Sequence, residues 1–252
     1  MNQTNQLDVE ALADTRKWAK LLTILGGIAV IAALWMVFFY APTDREQGVM
    51  QRIFYIHVPT AWLGMMAFGI MALCSLLYLW LRDERLDAIA LSSAEIGFVF
   101  LTATLMAGPL WAKLAWGTWW QWDARLSFSL LLWFIWLGYF ALRNSTDDPE
   151  QGKRFAAVLA IIGSIDLPVI HLSVNWFRTI HPKPVILNPE GATADGPMVA
   201  TLLFSLLAFT IFFFGLLLYR YQYERMQRVF EFLSAARLRG EHQGGRPGES
   251  YS

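Results

Sequence analysis

Six long, mostly apolar runs dominate the sequence, at residues 20–40, 61–81, 89–111, 126–142, 155–176 and 198–219. An α-helix rises 1.5 Å per residue, so about 20 residues cross a bilayer core of about 30 Å. The hydrophobic share of 56% and the charged share of 16% fit a chain whose apolar residues are gathered into blocks. The sequence therefore predicts an all-α integral membrane protein with six transmembrane helices.

Lys and Arg are distributed unequally between the two sides that these spans define. Fourteen fall on the side of the N-terminus and six on the opposite side. Because an excess of Lys and Arg marks the cytoplasmic side, both termini are expected in the cytoplasm. Residues 1–19 would then form a cytoplasmic tail and residues 20–219 the membrane domain. Residues 220–252 are expected to form a basic helix on the inner leaflet, followed by a disordered tail.

Composition and motifs argue against several classes of function. The 20 basic and 20 acidic residues leave no net charge, whereas nucleic-acid binders draw affinity from clustered Lys and Arg. The sequence has no HExxH pair, no Ser–His arrangement of recognisable spacing and no phosphate-binding Gly-rich loop. A transfer or transport protein is therefore favoured over an enzyme, and any use of ATP is expected to come from a partner.

Tryptophans cluster on the predicted outer side, within residues 111–126. Five of the 12 Trp lie between residues 111 and 122, and four of them crowd the second outer loop. These four are Trp116, Trp119, Trp120 and Trp122. An aromatic belt at headgroup level explains one or two Trp at a helix end, but not four in one loop. A flat ligand or a protein is expected to cover this apolar shelf, with the belt as the alternative.

Histidines lie on either side of the tryptophan loop. His57 and His181 fall in the first and third predicted outer loops, so each is expected to approach one face of a ligand on the shelf. A planar, iron-bearing dicarboxylate would use every residue type gathered here. Indoles stack on porphyrins, neutral imidazoles bind iron, and Arg and Lys pair with propionates. The candidate propionate contacts are Arg52 and Arg125 first, followed by Lys113, Arg178 and Lys183.

Four further polar residues keep alternative interpretations. His171 lies near apolar residues and is interpreted first as an interior histidine and second as a ligand. Asp123 precedes the fourth run and fits either a helix cap or a ligand contact. Asp166 and Glu95 are carboxylates within the fifth and third runs. Since a lone charge is costly in a membrane, pairing across helices is favoured over a haem or proton route.

The same residues carry a family resemblance. Trp116-Gly-Thr-Trp-Trp-Gln-Trp-Asp123, followed by Ala-Arg125-Leu, resembles the tryptophan-rich (WWD) signature of haem-handling proteins in cytochrome c biogenesis. The segments from Arg52 to Pro59 and from Asp166 to His181 resemble flanking motifs of one branch, haem exporter protein C (CcmC) of the system I pathway. The likeness runs from about residue 47 to the end of the sixth span.

The resemblance implies a cofactor, a site and partners. His57 and His181 would be the axial ligands of haem b, with the tryptophan loop through Asp123 as the platform in the second extracytoplasmic loop. The protein would lie in a bacterial inner membrane with its site facing the periplasm. Its implied partners are an ABC-type permease with its ATPase, a small single-span protein, and a membrane-tethered periplasmic haem chaperone.

Three functions compete at this point. The first is binding of haem at the periplasmic face and its transfer to the chaperone. The second is a permease that carries haem through the helix bundle, for which Asp166 and Glu95 are candidate lining residues. The third is a transmembrane electron carrier, which should place His pairs inside facing helices; only His171 comes near that arrangement. The first is favoured, because no span repeats potential ligands.

Overall fold

The computed structural model describes residues 3–177, 181 and 195–244, and side chains within residues 14–231 of that part together with residue 234. This described part is helical and contains no strand. Six helical segments in it are long and apolar enough to cross a membrane. The predicted all-helical fold with six spans is therefore confirmed.

Seven α-helices build the described part of the chain. They are α1 (Gln3–Trp35), α2 (Phe54–Leu81), α3 (Glu84–Trp116), α4 (Ala124–Arg143), α5 (Pro149–Gly163), α6 (Asp166–Trp176) and α7 (Gly196–Gly244). A π-helical turn, Met36–Tyr40, follows α1, and a 3-10 turn, Val49–Ile53, leads into α2. The fifth span, Pro149–Trp176, comprises both α5 and α6.

Aspartates determine where three of the helices begin. Asp83, Asp123 and Asp148 precede α3, α4 and α5. Each accepts a hydrogen bond from a backbone N–H of the following turn, at 2.8, 2.9 and 3.0 Å. These caps satisfy backbone donors that a helix leaves without an internal partner. At its other end α3 stops at Gly117, whose φ of 78° suits a residue without a Cβ.

Small residues bring α2 and α3 close together. A Cβ at Gly64 would lie 3.2 Å from Leu101, and a Cβ at Gly97 would overlap that of Ala67. Membrane helices pack closely where such residues let their backbones approach. The fully buried Trp136 of α4 packs at the same point. These contacts set the position of α2 along α3, on which the site between the start of α2 and the end of α3 depends.

The fifth span is broken, although one continuous helix was expected over residues 155–176. Two residues, Ser164 and Ile165, separate α5 from α6. Pro168 has no N–H to donate to the Ser164 carbonyl, and the N–H of Leu167 bonds that carbonyl instead at 3.2 Å. The tighter turn ends α5 and places Asp166 at the start of α6.

An ion-pair cluster joins four helices at the end of the bundle where α3 and α5 begin. Both Asp87 oxygens accept from the Arg143 guanidinium, at 2.6 and 2.9 Å, and Arg228 donates to Asp87 at 2.7 Å. Glu84 accepts from Arg228 at 2.6 Å and from Lys153 at 2.7 Å. Asp87 is buried, so these partners offset the cost of desolvating its charge.

The last helix contributes to the same end of the bundle. α7 runs without a break from Gly196 to Gly244, through the boundary predicted at residue 219. Arg220 pairs with Glu95 of α3 and also with Glu224 one turn along. Pairing across helices is therefore confirmed for Glu95. Location of residues 220–239 on the inner leaflet stays a prediction.

We predict that Arg143→Leu destabilises the bundle by about 3 kcal/mol, because removing one partner of a buried ion pair leaves the other partly uncompensated. The measurement is thermal or SDS-induced unfolding of the protein in micelles. Lys17→Leu is the control, since Lys17 and Asp14 are largely exposed, at 79% and 70% of their side-chain surface. Its effect should stay below about 1 kcal/mol. Equal effects of the two variants would contradict a stabilising role for the cluster.

Candidate ligand-binding site

A cavity opens between α2, α3, α4 and α6, at the end of the bundle opposite the ion-pair cluster. Its walls are mostly apolar and aromatic, and its polar lining includes two histidines and an arginine. The lining comprises His57, Ala61, Met65, Leu101, Thr104, Leu105, Gly108, Pro109, Trp111, Ala112, Trp116, Trp120, Arg125, Leu126, Ser129, Ile170 and His181. Apolar walls with a few convergent polar groups are typical of a binding site.

His57 projects into this cavity from the first turns of α2. Its side chain is buried, and a Cβ at Gly108 would lie 3.1 Å from its Cε1. Its Nδ1 has no hydrogen-bond partner of standard geometry among the described residues, although the Thr104 backbone lies close enough to interact weakly. The position of the imidazole therefore depends mainly on packing, and Gly108 provides the room for it.

The loop position predicted for His57 is wrong. α2 begins at Phe54, several residues before the predicted span, and includes His57. Phe54, Tyr55 and Val58 pack with Val37 and other apolar side chains from the turn that follows α1 and from the start of α7. This packing extends the helix through the stretch that precedes the apolar run predicted from residue 61. Tertiary contacts override local propensity here.

The structure brings His57 and His181 together, although they are far apart in sequence. Their ring centroids lie 6.5 Å apart, with 37° between the ring planes. Two imidazoles that bind one metal ion from opposite sides at about 2 Å each would have ring centres about 6 Å apart. The centroid distance is therefore compatible with both imidazoles binding one metal centre.

The tryptophans divide into two groups. Trp111, Trp116 and Trp120 line the cavity, and the rings of Trp111 and Trp116 lie 5.4 Å apart. Trp119 and Trp122 do not line it and are 57% and 78% exposed. The division arises because α3 ends at Trp116 and the chain through Trp122 is not helical. Three indoles thus line the cavity, and two predicted platform residues do not.

The candidate cations also occupy different places. Arg125 lines the cavity from the first turn of α4. Arg52 does not line it, and its guanidinium lies over the Phe38 ring at 5.7 Å. Lys113 donates to the Gly117 carbonyl at 3.1 Å and lies over Trp119. Arg178 and Lys183 lie outside the described residues.

Three further candidates can now be located. Asp123 caps α4, as one of its two interpretations predicted, by accepting from the Leu126 N–H at 2.9 Å. His171 is exposed, so the interior position expected for it is wrong. Ile170 faces the cavity, and the next residue on a helix turns about 100° away from that face. Asp166 is buried, and its Oδ2 has no hydrogen-bond partner within the described part of the chain.

Comparison with known proteins identifies the family. The family model described as "Heme exporter protein C" (CcmC) matches residues 6–235. The chain belongs to the heme exporter protein C family. It is 39% identical over 201 residues to a protein of that name from Bradyrhizobium diazoefficiens, covering 79% of this chain and 76% of the relative.

Two further relatives extend the similarity. One is heme exporter protein C from Haemophilus influenzae, 35% identical over 210 residues, which are 83% of this chain and 84% of the relative. The other is a mitochondrial protein of Marchantia polymorpha whose name describes it as ccmC-like and assigns it to cytochrome c biosynthesis. It is 36% identical over 190 residues, covering 75% of this chain and 77% of the relative.

In this member of the heme exporter protein C family, the structure adds site residues that the sequence did not single out. Gly108 leaves room for the His57 imidazole, Thr104 lines the cavity, and Ile170 extends it towards α6. Trp111 was counted in the tryptophan cluster but not among the ligand contacts. A glycine beside a proline in a long apolar run, Gly108-Pro109, is the one local signal that pointed to this position.

We predict that Gly108→Ala displaces the His57 imidazole by a few tenths of an ångström, because the added methyl would lie 3.1 Å from its Cε1. The measurement is the Cε1–H signal of His57 in ¹³C-histidine-labelled protein, assigned with His57→Ala. Gly27→Ala is the control, since nothing lies within 4 Å of a Cβ at that position. An unchanged His57 signal in Gly108→Ala would contradict the role of Gly108.

Proposed function

We propose that this protein binds haem between His57 and His181, at the outer face of a bacterial inner membrane, and promotes its transfer to a periplasmic haem chaperone. The observation that carries the proposal is the approach of the two imidazoles, with ring centroids 6.5 Å apart in the lining of an aromatic cavity. Membership of the heme exporter protein C family supports involvement in haem handling for cytochrome c biogenesis.

The donor set favours haem over a bare metal ion. Among the described residues no group of three or more His, Cys, Asp or Glu could hold a metal ion. Structural sites for bare zinc normally use four protein ligands and catalytic sites three. A pair of imidazoles suits a metal whose other ligands belong to a macrocycle. Haem would supply the iron and its ring nitrogens, and His57 and His181 would hold the iron.

The indoles supply the flat apolar surface that a porphyrin needs. Trp111, Trp116 and Trp120 line the same cavity as both histidines. The cavity encloses about 80 Å³, well below the 300–1,000 Å³ of pockets that enclose a whole drug-sized ligand. A macrocycle would therefore extend beyond this space. Incomplete enclosure suits a protein that passes its ligand to a partner.

Arg125 is the best placed propionate partner. It is the one described Lys or Arg in the cavity lining. A guanidinium can pair with a carboxylate through two parallel hydrogen bonds. Arg52 is retained as a second candidate because of its place in the family motif, and Asp123 contributes by starting α4 so that Arg125 lies in its first turn.

The charge distribution supports the proposed orientation. The ion-pair cluster lies at the end of the bundle with the short, charged connections, and the cavity lies at the other end. The excess of Lys and Arg on the side of the termini would put the cluster in the cytoplasm and the cavity in the periplasm. The proposed partners are the chaperone, an ABC-type permease with its ATPase, and a small single-span protein.

The alternative of a permease through the bundle loses one of its two candidate residues. Glu95 pairs with Arg220 of α7, which favours a structural role for this carboxylate over the lining of a path. Asp166 remains buried near the break in the fifth span, but one carboxylate does not make a path of haem size.

We predict that His57→Ala and His181→Ala each convert the absorption spectrum of bound haem from six-coordinate low-spin to a form with one axial histidine. Loss of an outer-shell partner of a metal ligand typically costs about 10- to 100-fold in affinity. Loss of a ligand itself should lower the affinity for haem by more than that. The measurement is haem titration of the purified full-length protein in nanodiscs. His171→Ala is the matched control, because His171 is exposed and outside the cavity lining. An unchanged low-spin spectrum in the His57→Ala/His181→Ala double variant would refute the proposal.

We predict that Arg125→Gln lowers haem affinity by about tenfold or more, as expected for a lost hydrogen bond between charged groups. The same variant should bind haem dimethyl ester as the wild type does, because the ester has no propionate charge. Lys113→Gln serves as the control, since Lys113 contacts the Gly117 carbonyl and lies outside the lining. An equal loss of affinity for both porphyrins would show that Arg125 acts through packing.

A further inference from the structure

We infer that Gln47 is a positioning residue of the haem site, which holds the indole of Trp111 against the His57 imidazole. Gln47 lies in the connection between α1 and α2 and does not line the cavity. The inference rests on the proposed function, because it concerns how the haem ligand His57 is kept in place.

The link begins with one hydrogen bond between distant parts of the chain. Trp111 Nε1 donates to Gln47 Oε1 at 2.9 Å. Trp111 is 4% exposed, and a buried indole N–H needs an acceptor. Its ring centroid lies 5.7 Å from that of His57 and 5.4 Å from that of Trp116. Gln47 thus controls a ring that contacts both an iron ligand and a neighbouring indole.

Gln47 is itself held by a short turn. Asp44 Oδ1 accepts from the N–H groups of Glu46 and Gln47, at 2.9 and 2.7 Å. The Gly48 N–H donates to the Asp44 carbonyl at 3.1 Å, and Gly48 has a φ of 62°, a region that favours glycine. Asp44 therefore fixes the backbone from which the Gln47 side chain reaches α3.

His57 depends on such packing more than most metal-binding histidines. A ligating histidine usually donates its second ring nitrogen to a fixed acceptor, which orients the ring. Here Nδ1 has no partner of standard geometry among the described residues. Trp111 and Gly108, one turn apart on α3, contact the imidazole instead. If Trp111 moves, His57 loses a ring contact and keeps only the weak interaction with the Thr104 backbone and the packing beside Gly108.

A double-mutant cycle tests the link in full-length protein in nanodiscs. Gln47→Leu removes the acceptor at nearly constant size, and Trp111→Phe removes the indole N–H while keeping an aromatic ring. Each should raise the haem dissociation rate by about tenfold, since each breaks the same buried hydrogen bond. The double variant should be no faster than the faster single variant, because the two changes act on one interaction. Gln47→Leu should also shift the low-spin g-values of the bound haem.

A measurement on the haem-free protein accompanies the cycle. The Trp111 indole N–H, assigned in ¹⁵N-tryptophan-labelled protein by its absence from Trp111→Phe, should exchange with deuterium at least about tenfold faster in Gln47→Leu. Trp133→Phe is the matched control. Its indole donates to Thr102 Oγ1 at the same distance of 2.9 Å, but Trp133 is not part of the cavity lining. Trp133→Phe should leave haem dissociation and g-values unchanged.

The outcomes separate this inference from the proposed function. If wild-type protein holds haem through His57 while Gln47→Leu dissociates haem at the wild-type rate, the inference alone fails. It also fails if the effects of Gln47→Leu and Trp111→Phe on the haem dissociation rate add. An equal increase of that rate in Trp133→Phe would contradict it as well. If the wild type holds haem without His57, the proposed function fails and Gln47 has no haem ligand to position, whatever the indole exchange shows.

Discussion

The site depends on the close packing of α2 against α3. Gly64 and Gly97 remove the side chains that would keep the two helices apart. Nearer the cavity, Thr104 Oγ1 donates to Thr60 Oγ1 at 3.0 Å, which links the same two helices one turn from His57. Since His57 comes from α2, and Gly108 and Trp111 from α3, any sliding of one helix along the other would separate the imidazole from its contacts. The packing of α2 against α3 therefore also determines where the His57 imidazole lies.

The spans could be predicted because a bilayer imposes a simple rule on sequence. Each backbone polar group must be satisfied within the helix and each lipid-facing side chain must be apolar, so six spans appear as six apolar runs. The rule says little about where a helix ends. α2 extends to Phe54 because apolar side chains from three parts of the chain meet there, and α5 ends early because Pro168 lacks an N–H. Neither effect has a signature in hydrophobicity.

The sequence indicated which types of residue form the candidate site, but it indicated less about how they are arranged. His57, His181, Trp116, Trp120 and Arg125 come together around one cavity, as their grouping beside the tryptophan loop suggested. His171 turns out of the site because a single residue step on α6 changes the face. The bond between Gln47 and Trp111 joins two polar atoms 64 residues apart. No periodicity or local motif encodes such a contact, which exists only after α2 and α3 have packed.

The two ends of the bundle present different groups. In the ion-pair cluster, every arginine or lysine faces a carboxylate within hydrogen-bonding distance, so that end is satisfied by the protein itself. The cavity instead presents two imidazoles, three indoles and one guanidinium, and the adjacent carboxylate of Asp123 caps α4. In the proposed function, haem would bring an iron ion for the imidazoles, a flat apolar surface for the indoles and carboxylates for Arg125. Each kind of group in the lining thus has a counterpart in the proposed ligand, whereas the ion-pair cluster is built from the charges of the protein alone.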